Sequence, residues 1–137
     1  MMKGIGKLWK LLPAWFPTLL TVAAVLWLTL APHPTGEFEP ELFPGADKAV
    51  HALMFGWLAL MVFIDRVRLD GKHAPRIRFF VVADLFVILF GGLIEILQRL
   101  MELGRSADFS DFLADAAGAA TVLLLWLIYR HKNARCR

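Results

Sequence analysis

A chain of 137 residues suits one small domain, but 58% hydrophobic against 20% charged residues, with a mean hydropathy of +0.60, excludes an ordinary soluble domain and points to a membrane protein. The formal charge of +3 resides mainly in Lys and Arg between apolar runs, an orientation signal that argues against nucleic-acid binding. Cys136, the one cysteine, excludes an intramolecular disulfide and a cysteine-rich zinc site.

In chain order, an N-terminal arm over residues 1–13 carries Lys3, Lys7 and Lys10. The first apolar run, Ala14 to Ala31, has the placing of a secretory signal. It is long for one, however, and ends in "TLAPHP", where proline makes a poor cleavage site, so a retained helix is expected. The loop that follows, with Glu37, Glu39 and Glu41, reads as a solvated acidic stretch. The second run is Ala46 to Ile64, and the loop after it, "DRVRLDGKHAPRIR", holds Arg66, Arg68, Lys72, Arg76 and Arg78. The third run is Phe79 to Leu97 and the fourth Phe112 to Tyr129, before a basic tail over residues 131–137. Each approaches the roughly 20 residues a helix needs to cross a bilayer.

Cations resist translocation and accumulate on the cytoplasmic side. Both termini and the middle loop are therefore expected inside, and the first and third loops outside. The spacing predicts an all-α membrane protein: a four-transmembrane-helix up-and-down bundle with both termini cytoplasmic, residues 14–130 forming the bundle between the arm and the tail.

In that topology the polar residues of the last three spans converge on the outer face. Asp47 and His51 are four apart and Lys48 and His51 three apart, so all three share a helix face. Glu95 and Gln98 are three apart, with Glu102 continuing the stripe. Asp108, Asp111, Asp115 and Gly118 follow the spacing i, i+3, i+7, i+10, with Ser110 or Asp111 as the expected helix cap. A carboxylate near the bilayer centre costs roughly 2.5–3.5 kcal/mol on insertion scales, so Glu95 and Asp115 are expected to face into the bundle, toward Lys48, His51, Arg99 or Arg105. Arg105 is the best partner, because its planar fork holds a carboxylate or phosphate through two hydrogen bonds. Asp84, near the cytoplasmic end of the third span, is expected to pair with Arg76 or Arg78. Gly91, Gly92 and Gly118 read as small residues that admit close helix packing.

The sequence resembles the VanZ-like family of small bacterial membrane proteins over roughly residues 44 to 125. "DKAVHALMF" is similar to the family's Asp-Lys-x-x-His opening of a helix. "EILQ" followed by "GRSADFSDFLADAAG" is similar to its Glu-x-x-Gln, then Arg, then Asp-x-x-x-Asn-x-x-Gly series. By position the resemblance marks Asp47, Lys48, His51, Glu95, Gln98, Arg105, Asp111 and Gly118. Phe55 stands where the family often has Tyr, and Asp115 where it usually has Asn. The resemblance implies a role in the bacterial cytoplasmic (inner) membrane and cell envelope, since the founding member is associated with low-level resistance to the glycopeptide teicoplanin.

Three functions fit these residues. Asp47, Lys48, His51, Glu95, Gln98, Arg105, Asp108, Asp111 and Asp115 are candidates for an outward-facing ionic site that binds or processes an anionic envelope ligand, such as a lipid-linked phosphate or cell-wall precursor. A metal-dependent hydrolase using His51 with Asp47, Glu95, Asp111 and Asp115 is a weaker alternative, with no residue assigned as a metal ligand because a single His is available. A non-enzymatic membrane scaffold or accessory protein is the third. The lipid bilayer is the one partner all three share.

Overall fold

A computed structural model of the chain describes residues 11–31, 44–71, 75–101 and 108–135. These residues form four α-helices: α1 (Phe16–Leu30), α2 (Ala46–Asp70), α3 (Ile77–Met101) and α4 (Phe109–Arg135). α2, α3 and the Phe109–Asn133 part of α4 are long and apolar enough to cross a membrane. At 25 residues each, they reach about 38 Å, beyond the roughly 30 Å hydrocarbon core. α1 is apolar but has 15 residues, about 22 Å of helix.

The helices outrun the apolar stretches that signal them. α2 was expected to stop at Ile64 and continues to Asp70. The charged turn that looked like loop is helical because its charges pair along the helix, Asp65 with Arg68 at 2.9 Å and Arg66 with Asp70 at 2.9 Å. The helix ends at Gly71, whose φ of 58° is a left-handed value that glycine adopts without steric penalty.

Cross-helix contacts show that helices consecutive in sequence run antiparallel, so that α1 and α3 are parallel, as are α2 and α4. Asp65, late in α2, meets Thr18, early in α1. The Gln98 amide, late in α3, donates to the Thr29 carbonyl, late in α1, at 2.8 Å. Arg130, late in α4, donates to the Pro75 carbonyl just before α3 at 2.6 Å. One end of the bundle therefore gathers the starts of α2 and α4 with the ends of α1 and α3.

α2 and α4 make the most extensive contact. A Cβ built on Gly118 would overlap the Ala52 carbonyl oxygen, and one on Gly56 would lie 3.2 Å from the Gly118 oxygen. The α3 side of the core repeats at steps of four and three, through Phe80, Asp84, Val87, Gly91, Ile94 and Gln98, a single stripe on a helix. Val25, Phe55, Leu58 and Ala119 fill the centre. Below them Phe63, Phe80 and Trp126 form an aromatic cluster, with centroids 5.1 to 5.7 Å apart.

At this lower end Asp65 is a buried carboxylate that sequence reasoning assigned to a loop. It accepts hydrogen bonds from the Thr18 amide at 3.1 Å, the Thr18 hydroxyl at 2.7 Å and the Arg68 guanidinium at 2.9 Å, while Arg68 also donates to the Leu12 carbonyl. The expected pairing of Asp84 with Arg76 or Arg78 is not formed. Asp84 is buried in the α3 stripe with Oδ1 lacking a hydrogen-bond partner among the described residues, whereas both arginines are exposed.

Gly118→Ala is expected to lower stability by about 1–3 kcal/mol through overpacking against backbone. Ala120→Leu, on the exposed side of α4, is expected to leave it unchanged. Thermal unfolding in detergent micelles checks both, and equal melting temperatures for wild type and Gly118→Ala would contradict the close approach.

Candidate functional site

The upper end collects the polar residues from three helices. The first turns of α2 supply Asp47, Lys48 and His51. The last turns of α3 supply Glu95 and Gln98, and the start of α4 supplies Asp108, Asp111 and Asp115. His51, Glu95, Gln98, Asp111 and Asp115 are buried, whereas Asp47, Lys48 and Asp108 lie exposed at the rim. Arg105 and Glu102 fall outside the described residues, and Arg99 is exposed on α3.

At the centre, His51 Nδ1 and Asp115 Oδ1 are 2.9 Å apart, with Asp115 fully buried. A carboxylate in this position fixes the tautomer and plane of an imidazole. Gly91 makes the space for it: a Cβ there would lie 2.9 Å from Asp115 Oδ2 and 3.1 Å from Phe55 Cε1. Gly91 read as packing alone; its place one turn before Glu95 was the available signal of a role beside the site.

Glu95 is 8% exposed, and neither of its carboxylate oxygens has a hydrogen-bond partner among the described residues. Asp115 Oδ2 is likewise buried and without one. Buried polar groups are ordinarily satisfied, since an orphaned one loses its hydration uncompensated. Two adjacent carboxylates in that condition mark a place where the fold leaves bonding capacity unused.

The rim is better compensated. Lys48 Nζ lies 3.7 Å from Asp108 and 3.5 Å from Asp111. These separations are longer than a charge-assisted hydrogen bond of about 2.7–2.9 Å. Asp108 caps α4, its Oδ1 accepting from the Ser110 amide at 3.0 Å. Ser110 and Asp111, the expected caps, sit inside the helix because it starts at Phe109, a turn before its apolar run. Ser110 beside it, with the Lys48 charge nearby, holds the Asp108 carboxyl below the usual carboxylate range.

Gln98 does not join the ionic cluster through its amide nitrogen, which is committed to α1. Two groups bring one potential metal-ligand atom from each member within 4.8 Å of the others: His51, Glu95 and Asp115, all buried, and Asp47, His51 and Asp111, of which Asp47 is exposed.

With this arrangement in view, the comparison with known proteins is specific. The family model VanZ/LLP1 matches residues 4–130. The chain belongs to the VanZ/LLP1 family. It is also similar to two proteins described as "Probable multidrug resistance protein NorM", from Xylella fastidiosa strain 9a5c and strain Temecula1 / ATCC 700964. Each is 28% identical over 130 residues, which is 91% of this chain and 26% of the relative. The chain thus spans about a quarter of the length of these curated relatives. No solved structure matches. The two positions that depart from the VanZ-like pattern both lie at the site centre: Asp115 is the partner of His51, and Phe55 is buried against Gly91.

A double-mutant cycle between His51→Ala and Asp115→Ala is expected to show a coupling of about 0.5–3 kcal/mol in unfolding stability. His51→Ala combined with Asp65→Ala, at opposite ends of the bundle, is expected to be additive. Additivity in the first pair would remove the His51–Asp115 bond from the account.

Proposed function

We propose that the chain is a bacterial inner-membrane protein of the cell envelope whose helices cross four times with both termini cytoplasmic. Its polar end opens outward and binds an anionic envelope ligand, a lipid-linked phosphate or cell-wall precursor, and through it affects glycopeptide susceptibility. The observation that carries the reading is Lys48 at the mouth of the polar end, which lies 3.7 Å from Asp108 and 3.5 Å from Asp111 rather than at full hydrogen-bonding distance. If the cluster served only to hold helices together, its strongest hydrogen-bonding groups would be used on one another.

Lys48 is suited to the ligand's charge. It is half-exposed at the mouth and bound loosely to Asp108 and Asp111, so its three donors can turn to a phosphate. Arg105, in the segment before α4, is proposed as the second cation. His51, oriented by Asp115, is the group able to exchange a proton with a bound ligand.

A second reading has its own support: a stretch the length of this chain makes up 26% of relatives described as probable multidrug resistance proteins. On that reading the chain is an accessory to a transporter in the membrane, and its polar end docks the partner.

Native mass spectrometry of the purified protein is expected to show a retained polyprenyl phosphate or phospholipid, lost from Lys48→Ala and from Arg105→Ala. Equal retention in both variants would remove the anionic-ligand reading. The orientation is checked separately. A membrane-impermeant maleimide added to intact cells is expected to label Thr35→Cys, between the first and second apolar runs, in a Cys136→Ser background, and to leave His131→Cys unlabelled until the membrane is permeabilised.

A further inference from the structure

We infer that His51, Glu95 and Asp115 hold a divalent metal ion of the Zn²⁺ or Mn²⁺ class on the buried floor of the polar end. One ligand atom from each lies within 4.8 Å of the other two. An ion with metal–ligand bonds of about 2.0–2.2 Å needs its donors roughly 3–4 Å apart, a separation that small side-chain adjustments reach.

Three further observations favour an ion over a bare acidic cluster. Both oxygens of Glu95 and the second oxygen of Asp115 are buried with no partner at hydrogen-bonding distance among the described residues, which leaves lone pairs for a cation to take. The charge balances as well: two carboxylates and a neutral imidazole sum to −2, which a divalent ion cancels where uncompensated charge is most costly. Finally, the donors come from three helices, α2, α3 and α4, and are backed by the close contacts at Gly91 and Gly118.

The alternative group around His51 is less suited, since Asp47 is exposed and Asp111 is already near Lys48. One nitrogen with carboxylate oxygens fits Zn²⁺ or Mn²⁺ better than Ca²⁺, which prefers oxygen alone, or Cu⁺, which prefers sulfur. Three protein donors leave at least one position of a tetrahedral ion open. The inference stands on this geometry and not on the anionic-ligand reading, although an ion here would add positive charge where an anionic headgroup is proposed to bind.

The test uses the full chain, purified in detergent through a tag without histidine, stripped with a chelator, and incubated with Zn²⁺ or Mn²⁺ separately. Metal per chain is read by mass spectrometry after gel filtration. About one ion per chain is expected for at least one of the two metals, with a rise in melting temperature. Glu95→Gln and Asp115→Asn are each expected to weaken binding by at least about tenfold, whereas Asp84→Asn, a buried acid outside the cluster, retains it. Both site variants keep the side-chain shape and remove a buried charge, and circular dichroism of the metal-free forms establishes that they fold. Sub-stoichiometric metal in wild type with both ions, or binding unaffected by Glu95→Gln and Asp115→Asn together, overturns the inference. Bound lipid is measured on the same samples. Metal retained without lipid sinks the anionic-ligand reading alone, and lipid retained without metal sinks this one alone.

Discussion

The backbone of α4 at Gly118 lies against the backbone of α2 at Ala52, and the polar end of the molecule depends on that approach. Ala52 follows His51, and Gly118 comes three residues after Asp115, so the contact and the 2.9 Å His51–Asp115 bond occur at one level of the same helix pair. Any side chain at 118 would meet the Ala52 carbonyl and wedge the helices apart. Gly91 does the same service from α3, giving Asp115 and Phe55 the volume that a Cβ would take. The glycines are packing residues in their contacts, yet what they permit is a histidine and two carboxylates converging inside an apolar bundle.

Asp65 and Glu95, toward opposite ends of the bundle, are buried carboxylates handled in opposite ways. Asp65 is enclosed and fully engaged, bonded to Thr18 of α1 and to Arg68 one turn along its own helix. It behaves as a structural tie, and the cations around it are similarly used: Arg66 pairs with Asp70 and lies over Phe79, and Arg130 caps the chain at Pro75 and lies over Phe80. Glu95, also buried, has no such partner among the described residues. An unsatisfied buried polar group is rare and destabilising in a settled fold; Asp84, nearer the lower end, has one such oxygen, whereas at the upper end Glu95 and Asp115 leave three side by side among the described residues.

The positions of the helices were legible because apolar runs of bilayer length have few other uses. Their limits were not. Hydropathy measures the part of a helix suited to lipid, whereas the hydrogen-bond ladder runs on where charged side chains pair along it, as from Asp65 to Asp70, or where a cap starts it early, as Asp108 does ahead of Phe109. The site was legible to a similar depth. Helical spacing placed His51 with Asp47, and Asp111 with Asp115, on common faces, and alternating helices brought those faces to one end. The bond from Gln98 to Thr29 was not readable, nor was the burial of Asp65, nor that of Asp84 away from Arg76 and Arg78, because each depends on which neighbour a helix turns toward.

Sequence alone determined the all-helical class, the apolar helices and the set of ionisable residues at one end, through local periodicity and composition acting within each segment. Tertiary structure decided which of those residues meet. Asp115 found His51, Gln98 was drawn to α1, and Glu95 was left beside them with its oxygens unbonded among the described residues. The physical reason is that helix rotation and spacing are set by backbone contacts between small residues distant in sequence, above all Gly118 against Ala52, and no periodicity within a single helix records them.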